Sequence, residues 1–145
     1  MKPIKEDYKF LEVLGHGHYG VVRKAKKKRT KSEILFAIKS VVKDYVEKHL
    51  ESLKNELDIM CELDHPNIIK LFEVYEDAKY LHLVMELCTG PCLLTSMKYS
   101  GVDRYTEKQA AETAKNIIAA VKYLHDLNIC HRDLKPQNFI YKSDD

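Results

Sequence analysis

Short apolar runs alternate with turn residues through the N-terminal part of the chain. Tyr8 to Gly15 carries Phe10, Leu11, Val13 and Leu14. A glycine cluster follows, then the pair Val21-Val22, a basic stretch, and Ile34-Leu35-Phe36-Ala37-Ile38. Runs of this kind bounded by turn residues predict β-strands. The period then changes. Leu50, Leu53, Leu57, Met60 and Cys61 recur at helical spacing, which predicts a helix with one buried face. His65-Pro66-Asn67 is expected to end it, because the residue before a proline is pushed out of helical geometry. Two more strands are predicted over Ile68 to Tyr75 and Tyr80 to Leu87, with Glu76-Asp77-Ala78-Lys79 as an antiparallel turn. Gly90-Pro91 breaks the chain again. A second long helix opens at Thr106-Glu107-Lys108-Gln109, a capping box, with Ala110, Ala114, Ile117, Ile118, Val121 and Leu124 as its inner face. Five strands with one helix, then mainly helix, predict an α+β fold that changes character near residue 88.

Composition narrows the class. Of 145 residues, 45% are hydrophobic and 32% charged, which fits a folded domain rather than a disordered chain. No run approaches the roughly 18 apolar residues of a membrane span. The first residues lack an apolar signal core, and Lys2 stands where N-myristoylation needs glycine. A cytoplasmic protein with no membrane partner is expected. The charge of +2, from 24 basic and 22 acidic residues, gives no sign of a nucleic-acid partner. The basic residues cluster between Arg23 and Lys31, expected to be a solvated turn between the second and third strands. Cys61, Cys88, Cys92 and Cys130 form no C-x-x-C pair and no zinc spacing, so free thiols are expected.

Four motifs carry chemistry. Gly15-His16-Gly17-His18-Tyr19-Gly20-Val21-Val22 is a G-x-G-x-x-G-x-V string, whose glycines let backbone amides approach phosphates. The same spacing marks dinucleotide-binding turns, but those open a helix, and here a strand continues. A plain hairpin with left-handed glycines is the other reading. Ala37-Ile38-Lys39 places a lysine on an apolar strand, where it either meets an anion or reaches solvent. Glu56 borders the inward face of the first helix, either paired with Lys39 or solvated. The fourth motif decides between these readings. His131-Arg132-Asp133-Leu134-Lys135-Pro136-Gln137-Asn138 combines a carboxylate for an attacking hydroxyl, a cation for phosphate charge, and an amide oxygen suited to Mg²⁺.

In this order the four motifs resemble a protein kinase over essentially the whole chain. Lys135 after Asp133-Leu134 resembles serine/threonine kinases. His65-Pro66-Asn67-Ile68-Ile69-Lys70-Leu71, Tyr75-Glu76-Asp77 and Met85-Glu86-Leu87 are similar to the calcium/calmodulin-dependent kinase group, most of all to calcium-dependent protein kinases of protists and plants. The resemblance implies a kinase-like small lobe and hinge over 1–88, with an antiparallel five-stranded sheet and one helix. The first helices and the catalytic loop of a large lobe follow over 89–145. It implies γ-phosphoryl transfer from Mg-ATP to a protein serine or threonine, and by group a calcium-sensing regulatory segment outside this chain. Gly15, Gly17 and Gly20 match the loop over the ATP phosphates. Leu14, Val22 and Ala37 match the apolar residues around adenine. Lys39 matches the lysine on the α- and β-phosphates, positioned by Glu56. Met85 matches the gatekeeper, and Glu86 to Cys88 the hinge. Asp133 matches the catalytic base, Lys135 the phosphate-facing lysine and Asn138 a metal ligand.

The departures are specific. His16 and His18 stand where the family has small residues, and an imidazole beside phosphates is stabilised in its charged form. Cys92 stands in a stretch where the family carries a glutamate that touches ribose or a basic substrate residue, so a preference for upstream arginine is not implied. The sequence contains no Asp-Phe-Gly before its last residue, Asp145. The 145 residues alone are therefore expected to be an incomplete, inactive kinase domain. An exposed apolar patch is expected on the helix Thr106–Leu127. A non-catalytic nucleotide-binding or regulatory kinase fragment is the alternative reading.

Overall fold

The computed structural model describes residues 3–17, 20–99 and 106–143. The chain forms two compact units, one of Met1–Asp64 with Ile69–Leu87, the other of His65–Ile68 with Cys88–Asp145.

The first unit is built on five strands, β1 (Tyr8–Gly17), β2 (Gly20–Lys27), β3 (Leu35–Val42), β4 (Leu71–Glu76) and β5 (Tyr80–Glu86). They form one antiparallel sheet in the order β1-β2-β3-β5-β4. The middle strand β3 reads Leu-Phe-Ala-Ile-Lys-Ser-Val-Val and is covered on both faces. On one face Ile38, Ala25 and Val84 pack with Tyr8 and with Ile4 of a short N-terminal helix, α1 (Ile4–Asp7). On the other, Leu71 and Leu81 pack against Leu57, with Leu53 and Cys61 beside it on α2 (Leu50–Glu62).

Several boundaries differ from expectation for identifiable reasons. The basic run is not a turn as a whole, because Arg23–Lys27 lies within β2. Its charges are met pairwise: Lys24 by Glu12, Lys26 by Glu33 and Lys27 by Glu73, at 2.7–2.8 Å. Arg23 lies over the Phe10 ring. The strand predicted from Ile68 begins only at Leu71, because Ile68 N–H turns back to the His65 carbonyl. Helix α2 stops at Glu62, before the proline, where Leu63 turns extended (φ −65°, ψ 134°) and is buried. The Lys70 ammonium caps this end, donating to the carbonyls of Cys61 and Leu63 at 2.7 Å each. A cation there satisfies orphan acceptors and opposes the negative end of the helix dipole.

A polar cluster ties the N-terminal segment to the sheet. Tyr8 Oη donates to Glu73 at 2.8 Å, and Tyr75 Oη to Asp7 at 2.9 Å. Burial and the Glu73 bond push the Tyr8 phenol up to about 12, and burial with Asp7 pushes Tyr75 up as well. A raised folded-state pKa gives stability that is complete below the unfolded value of about 10 and is lost as pH climbs through the folded one. Tyr8 is fully buried, so urea unfolding should lose about 2 kcal/mol between pH 10 and 12 through this residue. Tyr8→Phe should be less stable at pH 8 and show a correspondingly smaller alkaline loss. Equal alkaline slopes for the two proteins would remove Tyr8 from the explanation.

The second unit contains α3 (Leu93–Tyr99) and α4 (Glu107–Asp126). Thr106 and Gln109 form the predicted capping box. At the far end Asn128 is left-handed (φ 59°), with its N–H on the His125 carbonyl and Ile129 N–H on the Leu124 carbonyl. That is a Schellman stop with asparagine in the glycine place. The buried side of α4 is centred on Ala120 and Leu124, with Thr113, Ile117 and Tyr123 half-buried along it. Ala114 and Ile118, expected inside, are exposed, because they lie one helical step off that line. Leu127 is exposed as well. Residues 139–142 run antiparallel to 89–93, with Leu93 N–H on the Phe139 carbonyl at 2.8 Å and Tyr141 N–H on the Pro91 carbonyl at 3.0 Å. A Cβ at Gly90 would come within 2.7 Å of Tyr141 Cβ, so this approach requires glycine.

Candidate active site

In the first unit, sheet register brings one group of candidate residues together. Gly15 pairs with Val22, Val22 with Lys39, and Lys39 with Leu83, one row across four strands. Two residues along β3, Ala37 pairs with Met85. Alternation along β3 puts Lys39 and Ala37 on one face, so the glycine-strand end, the lysine, the small residue and the gatekeeper position share it. Leu14, on β1, is exposed beside Gly15. Glu86 N–H is already held by the Lys70 carbonyl at 2.9 Å. Cys88 is half-buried in the second unit.

The glycines separate by cause. A Cβ at Gly15 would meet nothing within 4 Å, and one at Gly17 only the Gly20 carbonyl oxygen at 3.9 Å. Neither has a left-handed φ, so neither turn geometry nor packing demands glycine there. The backbone at both positions is open to close approach from outside the strand. Gly20 differs, because its α-carbon lies against the backbone of Ser40 and Val41. His16 is exposed; His18 and Tyr19 lie outside the described residues.

Lys39 and Glu56 are not joined by an ion pair in this structure, although the sequence pointed to one. Lys39 is half-buried on β3, and Glu56 is exposed on α2. Glu56 lines a cleft of about 420 Å³ with Tyr45, Val46, His49, Ser52 and Leu53.

In the second unit, a further group of candidate residues lies in the loop after α4. Arg132 has φ 68°, a left-handed backbone that costs a non-glycine residue about 1–2 kcal/mol. The strained turn brings the loop back on itself. Asp133 N–H donates to His131 Nδ1 at 3.2 Å, which leaves the imidazole proton on Nε2. The Asp133 carboxylate accepts from Lys135 Nζ at 2.9 Å and from Asn138 Nδ2 at 2.9 Å. Asn138 Nδ2 also donates to the Asp133 carbonyl. The bonds from Lys135 and Asn138 hold the Asp133 carboxyl below the usual carboxylate range. The result is an exposed, ionised carboxylate of fixed orientation beside a cation.

The donor set suits Mg²⁺ only as a supplement. Because Asn138 spends its amide N–H on Asp133, its Oδ1 is the side-chain oxygen left for a metal. Among the described residues no group of three or more His, Cys, Asp or Glu could hold an ion. None of the four cysteines is in a disulfide.

Residues 8–145 match the protein kinase domain. The chain belongs to the protein kinase family. This kinase chain is 43% identical over 144 residues to myosin light chain kinase A of Dictyostelium discoideum, covering 99% of itself and 48% of that relative. It is 38% identical over 145 residues to calcium/calmodulin-dependent protein kinase type 1 of Macrobrachium nipponense, covering 100% of itself and 41% of the relative. It is 47% identical over 129 residues to calcium-dependent protein kinase 5 of Plasmodium falciparum, 88% of itself and 22% of the relative. The chain thus spans less than half the length of these relatives. At family level it is a serine/threonine protein kinase, and its α+β sheet and helices are those of the family's N-terminal lobe and the start of its large lobe.

Sequence reasoning missed one polar element. Ser40 and His82, both buried on facing positions of β3 and β5, share a 2.8 Å hydrogen bond. His82 Nε2 reaches Asp77 at 3.0 Å. A carboxylate only accepts, so Nε2 carries a proton toward Asp77, and Nδ1 shares the other bond with the Ser40 hydroxyl. Ser40 follows Lys39 on β3 and, by alternation, faces the other side of the sheet. Two polar residues at facing positions on strands otherwise rich in apolar residues was the available signal.

Proposed function

We propose that this kinase chain carries the ATP-binding sheet and catalytic loop of an enzyme that moves the γ-phosphoryl group of Mg-ATP to a protein serine or threonine. The Asp133–Lys135–Asn138 constellation carries the reading: a fixed carboxylate to receive the hydroxyl proton, a cation for transferred charge and a metal oxygen, on one loop. The Lys39 row, with Gly15 at its end and Gly17 two residues further along β1, neither of them required by the packing, supports nucleotide as the ligand. A calcium-sensing regulatory segment outside this chain and a cytoplasmic setting belong to the same reading, the first from the names of the relatives. The second reading, nucleotide binding without turnover, is favoured by the open Lys39–Glu56 pair. The test measures Mg-ATP affinity and phosphate transfer to a serine-containing peptide, with the 145-residue chain and with any longer product of its gene. Micromolar to millimolar binding that is weakened at least tenfold by Lys39→Met is expected in both, with turnover in the longer one. Binding indifferent to Lys39→Met would overturn the assignment, and binding without turnover in either would establish the second reading.

A further inference from the structure

Glu76, the last residue of β4, is gripped from two sides. Lys43, just beyond β3, donates to its Oε1 at 2.6 Å, and Lys54, on α2, reaches its Oε2 at 2.8 Å. The Glu76 side chain is only 17% exposed, with Lys43 at 22% and Lys54 at 33%. Lys43 also donates to the Asp77 carbonyl. These bonds hold the Glu76 carboxyl below its usual range and raise Lys54.

The grip is one of two directional holds on the helix. Lys70 pins its last turn through the Cys61 and Leu63 carbonyls; the remaining contacts of α2 with the sheet are apolar, through Leu53, Leu57 and Cys61, and apolar contacts tolerate pivoting about that end better than a bonded ion pair does. Lys54 and Glu56 lie two residues apart, about 200° around the helix. Fixing Lys54 on Glu76 therefore fixes the direction in which Glu56 projects. In the gripped helix Glu56 lines the cleft with Tyr45, His49 and Ser52, and Lys39 goes without it.

We infer that Glu76 is a positioning residue for the nucleotide site: by holding Lys43 and Lys54 it keeps α2 in the orientation that leaves Lys39 and Glu56 apart. Releasing Glu76 lets the helix turn until Glu56 meets Lys39, a half-buried ammonium on an apolar strand that gains from an anion. The lysine is then oriented before nucleotide arrives, and nucleotide binds more tightly. This rests on the proposed role of Lys39 toward nucleotide.

The experiment measures Mg-ATP affinity for the chain, for Glu76→Gln, for Glu76→Asp, and for Glu76→Gln combined with Glu56→Gln. Methyl resonances of Leu53 and Leu57 are followed in parallel. Glu76→Gln should tighten Mg-ATP about fivefold and shift both methyls. Glu76→Asp, which keeps the charge, should stay within about twofold of the parent. In the Glu56→Gln background the gain should vanish, because the effect passes through Glu56. A purely structural role for Glu76 would lower thermal stability without this coupling. Unchanged or weaker binding, or an equal gain with and without Glu56, would overturn the inference. Lys39→Met serves as the separate control. If it leaves affinity unchanged the nucleotide-site reading fails, and the methyls then decide on Glu76 alone, with unmoved resonances counting against it.

Discussion

Replacing Asp133 by asparagine is expected to cut phosphoryl transfer about 10³-fold in a turnover-competent form of this kinase, while KM for ATP changes about twofold at most. The size follows from what the side chain does. Its carboxylate is fixed by Lys135 and Asn138, both at 2.9 Å, and stays ionised because those donors hold its proton affinity down. A general base of this kind contributes about 10²–10⁴ to rate through one proton transfer. Asparagine keeps the volume and one acceptor but cannot take the proton. The ground state loses little, because nucleotide would rest on Lys39 and the glycine-strand end. The change therefore falls on kcat. The measurement is steady-state transfer to peptide with ATP varied; an equal rise in KM and unchanged kcat would make Asp133 a binding residue and end the base assignment. Asn138→Ala should act differently, because it leaves Asp133 held by Lys135 alone and removes an oxygen suited to the metal at the same time.

What could be read in the chain beforehand divides along a physical line. Elements specified by near neighbours were legible. The spacing of Leu50, Leu53 and Leu57 placed α2, Thr106 and Gln109 placed the start of α4, and residues 131–138 marked the family as a string. Features specified by residues far apart in sequence were not. Tyr8 finds Glu73 across 65 positions, and Ser40 finds His82 across 42. Neither leaves a periodic trace. The basic run misled for the same reason, because its counter-charges Glu12, Glu33 and Glu73 are scattered before and after it. The Lys39–Glu56 pair shows a further limit. Both residues are recognisable, and whether they touch depends on Lys54 and Glu76, two charges no single motif contains.

The other large effect concerns stability and separates two glycines that a motif treats alike. Gly20→Ala should lower the thermal midpoint by about 10 °C, corresponding to about 3 kcal/mol for a domain of this size, whereas Gly15→Ala should change it by about 2 °C or less. Within a strand, alanine is ordinarily the better residue by about 0.5–1 kcal/mol, since it restricts the unfolded chain more. At Gly15 that small gain meets open space. At Gly20 it meets β3. The added carbon would overlap the Ser40 carbonyl oxygen and approach its carbon to 2.8 Å and Val41 Cα to 3.1 Å. Those are backbone atoms and cannot swing aside as a side chain can. Gly20 pairs with Val41 at the end of the β2–β3 ladder, and Ser40 is pinned by its bond to buried His82. Relief therefore requires β3 to shift where it carries Lys39, or the end of β2 to peel away. Overpacking of this kind costs about 1–3 kcal/mol, and immobile backbone puts it at the upper end. Calorimetry on the two variants checks the stability ranking, and Mg-ATP titration checks the function. Gly15→Ala should keep its fold and lose nucleotide affinity if Gly15 serves the proposed site, because the added carbon would stand where a ligand approaches the backbone. If Gly20→Ala melts with the parent, the close strand contact is not holding the sheet; if Gly15→Ala binds nucleotide as tightly as the parent, the first glycine has no part in the site.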